Sequence, residues 1–524
     1  MSQKSYSDHQ TASGHDDASE DYNVPSKFRG STNDEHEMAV LGKAQALRRN
    51  FHLFTMLGFA SVVMVGWETL PIYLSYCLID GGTPIVFWGL LVAPLGMTLV
   101  YASIAEIASM YPISSGQFHW VSELSPPSMQ RGLSYTVGWL TAIGWQTYSA
   151  ASSYLVATLI QGLIQFNDPT YEAQRWHGTL LTIGFALIAI FYNTILAGRL
   201  PGLQACAVVL HVGGCIAIAG TLWGTATVRR ASDVILNFED NGGWGNTGLS
   251  SMIGLFFPFG LLVGYDCSVH ISEETYDAST VIPRGIMWGA PLNALLNIFM
   301  GIALIFCLED PAEMLESTAI EPFIGSLFYK ATGSKAGTSV MVAIMIVLLS
   351  VSCVSQLTAA SRQLWAFARD GGLPGSSWIS KVPRKWNIPV PAIIVTFTIT
   401  CLLSLINIGS SVALNAFNSL ASVSVLFSYL VTIGCVVSRR ILGPELPPRR
   451  WSLGKWGMLV NILSLVFITP ILFFDFWPLM QPVTAQNFNW SSVMFAGVST
   501  IAAINYVVSA RFMYTGPVAD VKRE

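Results

Sequence analysis

Residues 51–78 read FHLFTMLGFASVVMVGWETLPIYLSYCL, an apolar run broken near its middle by Gly66-Trp67-Glu68-Thr69-Leu70-Pro71. A helix rises about 1.5 Å per residue and the hydrocarbon core of a bilayer is about 30 Å thick, so about 20 such residues cross it. This run is long enough, yet its centre is wrong for an uninterrupted helix. Glycine and proline weaken or remove helical hydrogen bonds, and freed backbone groups at membrane depth are tolerated only beside protein or a wet cavity. A crossing that breaks beside a carboxylate implies a polar interior.

Outward from this run the pattern repeats. Stretches without Asp, Glu, Lys or Arg include 81–105, 132–167, 176–198, 200–228, 241–265, 285–308, 336–361, 386–438, 456–474 and 476–510. The stretch 386–438 spans 53 residues, enough for two crossings separated at Asn407, Gly409 and Ser410, which makes twelve crossings in all. Composition agrees: 52% hydrophobic and 11% charged, against about 25% charged in soluble domains. With the N-terminus inside, the external loops carry Arg175, Arg229, Arg230, Lys330 and Lys335, five of 27 basic residues. The positive-inside bias therefore places both ends in the cytoplasm. The net charge of −4 arises from acidic residues in the N-terminal tail and the external loops, and no nucleic-acid footprint is present.

Residues 1–45 are polar and are expected to form a disordered cytoplasmic tail, with a second short tail at 516–524. The eight cysteines, Cys77, Cys206, Cys215, Cys267, Cys307, Cys353, Cys401 and Cys435, lie singly in or beside apolar segments and are expected to pack rather than bind metal. Asn489-Trp490-Ser491 is a glycosylation sequon on the predicted outer side, very close to the last helix.

A second interrupted crossing runs from Leu249 to about Ile271 and contains Pro258-Phe259-Gly260 and Gly264-Tyr265-Asp266. Interruptions at corresponding positions of two halves point to the central site of a transporter. Crossings one to five, about 51–224, and six to ten, about 248–438, then form two inverted five-helix repeats, with two extra helices at about 456–512. The transporter domain spans 46–515, and the expected fold class is an all-α membrane protein.

An intramembrane acid costs about 2.5–3.5 kcal/mol at mid-helix and needs a reason. Glu68 and Asp266, each beside a break, are candidates for the counter-charge to a cationic amine or for the site of a coupling proton. The alternative is that they only hydrogen-bond to freed backbone amides. Trp67 and Phe259 are the aromatics nearest the interruptions and can face an ammonium group, worth about 2 kcal/mol when desolvated. Gly66, Gly260 and Gly264 allow close backbone approach. His211 and His270 read as hydrogen-bonded structural residues, with proton relay the alternative. No phosphate-binding glycine loop, metal-binding helix pair or nucleophile elbow occurs, so neither enzymatic activity, nor a cofactor, nor a metal is expected.

Three connections resemble the amino acid-polyamine-organocation (APC) transporters, and in particular their fungal amino acid, choline and 4-aminobutyrate (GABA) permeases. They are the stretch from Ala105-Glu106-Ile107 to Phe118-His119-Trp120, Glu273-Glu274 followed by Ile282-Pro283-Arg284-Gly285-Ile286, and the stretch from Ala360-Ser361-Arg362 to Arg369-Asp370-Gly371-Gly372-Leu373-Pro374. The resemblance covers about 50–515. It implies the five-plus-five inverted-repeat fold, alternating access and proton-coupled uptake of amines or amino acids. It also places Glu106, Glu273, Glu274, Arg284, Arg362, Arg369 and Asp370 at the cytoplasmic face, as an inner gate of charge pairs or as solvated helix ends. One departure concerns the first break, where many amino acid carriers of this kind have a Gly-x-Gly stretch that grips a carboxylate. Here Ser61-Val62-Val63-Met64-Val65-Gly66-Trp67 has one glycine, which favours an amine, choline-like or ω-amino substrate.

The expectation is a secondary transporter of small nitrogenous solutes in the plasma membrane, with the vacuolar membrane as the alternative. Its solute would touch Val65, Gly66 and Trp67 in the first break and Phe259, Gly260, Leu261 and Gly264 in the second, with Tyr148 and Ser149 of the third crossing nearby. A nutrient sensor that kept the fold and lost transport, or a metabolite exporter, are the competing readings.

Overall fold

A computed structural model describes residues 24–409 and 413–517 of the 524. The expected turn residue Ser410, the tail before residue 24 and the tail after residue 517 lie outside the described residues. Among the described residues the regular elements are helical and no strand forms.

Among the described residues, ten helices are long and apolar enough to cross a membrane, from Leu53–Ile79 to Ser491–Met513. Two of the twelve expected crossings do not fit that description. The 38-residue helix Gln130–Asn167 is long enough but carries buried Ser, Thr and Gln side chains, because neighbouring helices cover most of its surface. The expected sixth crossing is divided into Thr247–Gly254, Phe256–Gly260 and Cys267–His270, with 261–266 outside any helix. Gly82–Met110 packs on Ala278–Cys307, Gln130–Asn167 on Lys335–Arg369, and Arg175–Thr194 on Val390–Gly409.

The tail reading is corrected from residue 24 onward. Thr32–Val40 is a helix with a capping box, Ser31 Oγ accepting from Asp34 N–H while the Asp34 carboxylate accepts from Ser31 N–H. Asp34 is buried, and its carboxylate also accepts from the amides of Asp277 (3.0 Å) and Ala278 (3.1 Å), at the N-terminus of the helix Ala278–Cys307. Burial raises this carboxyl, but Arg49 at 3.3 Å and the three backbone amides outweigh it and hold the group below its ordinary value. Polar composition suggested disorder; helix capping and ion pairing dock the segment together with the buried side chains of Met38, Leu41 and Leu47.

Candidate functional site

Val65 joins the helices Leu53–Met64 and Gly66–Ile79 with φ 39° and ψ 48°, a left-handed conformation that is strained for a β-branched residue. The sequence placed the break at Gly66, but the chain reverses hand one residue earlier. Gly66 is required for a different reason: a Cβ there would lie 2.5 Å from Asn297 Oδ1. The Val63 carbonyl freed by the break accepts from Ser352 Oγ (2.7 Å) and Gln356 Nε2 (3.0 Å). At the second break Gly264 has φ 118°, and the Tyr101 hydroxyl donates to the Leu262 carbonyl and accepts from Gly264 N–H. Side chains from other helices thus replace the missing helical bonds at both breaks.

A cavity reaches from Val63–Val65 and Gly260–Leu261 to the loop 475–489 at one end of the bundle. Among the expected site residues, Val65, Tyr148, Gly260 and Leu261 line it. The Tyr148 hydroxyl lies 3.0 Å from Ser422 Oγ, and Asn418 donates to the Tyr73 hydroxyl across 2.6 Å on the same wall.

The other expected contacts lie behind that wall. Trp67, Glu68, Ser149, Phe259 and Asp266 are buried and do not line the cavity. Phe259 packs edge-on against Phe467, with ring centres 5.5 Å apart. Glu68 Oε1 is 2.6 Å from His211 Nδ1, which also receives the Trp67 indole N–H at 3.1 Å. On the far side of the ring, His211 Nε2 meets Asn293 Oδ1 at 2.8 Å, and the Asn293 amide donates to the Ser61 carbonyl. Nε2 therefore carries a proton, and Nδ1 has two competing roles: unprotonated, its one lone pair takes the Trp67 N–H or a Glu68 O–H; protonated, it donates to the Glu68 carboxylate.

Asp266 sits beneath the cavity floor. It accepts from Gln117 Nε2 (2.6 Å), the Trp145 indole (3.1 Å) and the Tyr429 hydroxyl (2.5 Å), and His270 Nε2 is 3.3 Å away. His270 Nδ1 donates to the Ser114 carbonyl at 3.1 Å, so a neutral His270 would turn a lone pair toward the carboxylate. Trp145 both lines the cavity and holds Asp266.

The opposite end of the bundle is closed by ion pairs. Arg362 Nε meets Glu274 Oε1 at 2.6 Å, and Arg369 grips Glu273 through two contacts of 2.9 Å. Glu106 is held by Arg440 and by Arg449 (2.9 Å), neither of which the sequence singled out. Asp370 pairs with Lys43 of the N-terminal segment at 2.7 Å. Arg284 is exposed and enters none of the described ion pairs. The Asn489 side chain of the sequon donates to the carbonyls of Asp475 (2.6 Å) and Trp477 (3.1 Å), where it braces the loop at the cavity mouth.

Asp475, at the end of the helix Gly457–Phe474, drew no attention in the sequence because it reads as an ordinary helix-end acid. It lines the cavity, is 1% exposed, and neither carboxylate oxygen has a hydrogen-bond partner among the described residues. Burial pushes its carboxyl well above the ordinary range.

Residues 51–499 match the amino acid permease family. Amino-acid permease 2 of Neurospora crassa is 25% identical over 499 residues, covering 93% of this chain and 89% of the relative. The choline transporter of Saccharomyces cerevisiae is 26% identical, covering 87% of this chain and 81% of its own length, and amino-acid permease BAT1 of Arabidopsis thaliana is 26% identical over 92% and 95%. An all-helical chain with two interrupted crossings, a cavity that reaches both, and a family match along most of its length belongs to the amino acid permeases of the APC superfamily.

Proposed function

We propose that the protein carries amino acids, GABA or choline-type amines across a membrane by alternating access, coupled to protons, with twelve crossings and both termini in the cytoplasm. One observation carries this reading. The cavity reaches the two helix breaks from one end of the bundle, while buried ion pairs seal the other. A carrier caught open to one side has that asymmetry. The positive-inside bias makes the sealed end cytoplasmic, so the conformation is outward-open.

Packing of the second, third and fourth crossings on the seventh, eighth and ninth supports a five-plus-five repeat. The buried Glu68–His211 contact of 2.6 Å and the Asp266–His270 pair at 3.3 Å put an acid and an imidazole together beside each break and support proton coupling. They lie behind and beneath the cavity wall, so the coupling ion and the solute would occupy separate places and communicate at the Asp266 pair through Trp145, which lines the cavity. The names of the relatives, amino-acid permeases and a choline transporter, support the solute class.

Counterflow in proteoliposomes tests the proposal. Preloaded vesicles should exchange labelled choline, GABA or a neutral amino acid, faster with an acidic outer buffer. Saturable binding without exchange of any labelled solute would replace the carrier reading with a sensor of the same fold.

A further inference from the structure

The cavity contains one acid and no cation. Among its described lining residues, Asp475 is the sole ionisable carboxylate, and no Lys, Arg or His is present to receive an anion. Its environment explains little of its presence. The group is buried, its two oxygens have no hydrogen-bond partner among the described residues, and no described ion pair includes it. A carboxyl this buried and unpaired keeps its proton, because an unpaired carboxylate out of water costs several kcal/mol, and it becomes a carboxylate only when a cation settles beside it. Several other buried acids meet that demand within the protein: Glu273, Glu274 and Glu106 have arginines, and Asp266 has three hydrogen-bond donors with His270 beside it.

The surroundings are suited to a soft cation. Phe474 and Trp477 flank Asp475 in sequence, line the same cavity, and have ring centres 5.5 Å apart. Tyr148 lies across the cavity within electrostatic reach of the carboxylate. Aromatic faces beside a carboxylate attract an alkylammonium group through their quadrupoles, without the directed hydrogen bonds that a primary amine requires or the set of coordinating oxygens that a metal ion requires. The loop that carries Trp477 is braced by Asn489 on the Asp475 and Trp477 carbonyls, so backbone contacts satisfy the main chain and leave the carboxylate itself uncommitted.

We infer that Asp475 is the counter-charge for the ammonium group of a cationic alkylamine bound in the outer part of the cavity, against Phe474, Trp477 and Tyr148. This rests on the carrier reading for its biological use and narrows the solute to the cationic class. Glu68, the acid most prominent in the sequence, does not fill this role, because His211 and the cavity wall separate it from the solute.

The test is equilibrium binding to the purified full chain in nanodiscs, which needs no transport. The probes are labelled choline and, as competitor, its uncharged carbon isostere 3,3-dimethyl-1-butanol. Wild-type protein should bind choline saturably and prefer it to the isostere by about 30-fold or more. Asp475→Asn should bring the two ligands within about threefold of each other while leaving isostere binding in place. Equal affinities in wild type, no saturable choline binding, or undiminished charge preference in Asp475→Asn would each overturn the inference. If Asp475→Asn is not monodisperse, the wild-type comparison of charged and neutral ligands decides alone. Counterflow measured on the same preparation keeps the two proposals apart: binding with charge preference but no exchange would remove the carrier and leave the cation site standing.

Discussion

Arg362 Nε and Glu274 Oε1 meet at 2.6 Å with the arginine wholly buried and the glutamate side chain 5% exposed. The second guanidinium arm reaches Asn193 Oδ1 at 2.8 Å. The pair ties the long helix Lys335–Arg369 to the segment that follows the second break, at the sealed end of the bundle. An ion pair this buried contributes little relative to an apolar substitute, but removal of one partner leaves an uncompensated charge at a cost of about 3–5 kcal/mol. A bundle that opens at this end escapes that cost by hydrating the survivor.

Arg362→Ala should therefore favour the conformation open at the ion-paired end. Arg369→Ala should do so less, because its side chain is 18% exposed and its pair with Glu273 is already partly solvated. The readout is labelling by a membrane-impermeant thiol reagent of a cysteine at Ile113, buried in this conformation, in a background freed of the eight native cysteines. Equal labelling of the parent and both arginine variants would show that these pairs hold no gate.

Glu68→Gln keeps the size of the side chain but fixes a neutral group against His211 Nδ1, so the proton at the 2.6 Å contact can no longer leave. Transport should lose its dependence on the pH gradient, while choline binding at equilibrium changes by less than about threefold, since Glu68 does not line the cavity. The check compares uptake with and without an inwardly directed proton gradient. A gradient response as large as in the wild type would take Glu68 out of the coupling pathway.

The sequence made some of this site legible and hid the rest for identifiable reasons. Both breaks were visible because glycine, proline and an acid interrupt apolar runs, and the gate acids and arginines were visible because they cluster in connections. The bond between Glu68 and His211 joins residues 143 apart, and no periodicity reports such a distance. Asp475 was hidden by its position: an acid at a helix end is normally solvated, and only the folded loop 475–489 reveals that this one is enclosed. The docked N-terminal segment did have a signal, Ser31-Thr32-Asn33-Asp34, whose Ser-x-x-Asp spacing is that of a capping box. Overall polarity outweighed it in the reading.

The left-handed Val65 and the tightly approached Gly66 give opposite expectations for neighbouring residues. Val65→Gly relieves a backbone conformation that costs an L-residue about 1–2 kcal/mol, offset in part by the greater entropy of glycine in the unfolded chain. The thermal midpoint of the purified protein should stay level or rise. Gly66→Ala forces a methyl group against the Asn297 amide and should destabilise by about 1–3 kcal/mol. Because Asn297 has no side-chain hydrogen-bond partner among the described residues, Asn297→Ala should recover much of that loss in the double variant. Strict additivity of the two substitutions would mean that the steric contact is not the cause.

Glu321 lies outside the crossing helices, enclosed near Gly162. Burial pushes its carboxyl up to about 8, against the opposing effect of a hydrogen bond with Thr158. The folded chain then binds a proton that the unfolded chain releases near the ordinary value of 4.5, so between those values the folded state holds more protons. Stability must fall as pH rises from about 4.5 to about 8 and level off above it, by up to about 5 kcal/mol. Glu321→Gln cannot ionise and should lose this part of the pH dependence: near pH 4.5 the variant and wild type should have similar thermal midpoints, and at pH 8 the variant should be the more stable. A constant difference between the two across that range would show that Glu321 is solvated in the folded protein and that its enclosure by the outer loop does not persist in solution.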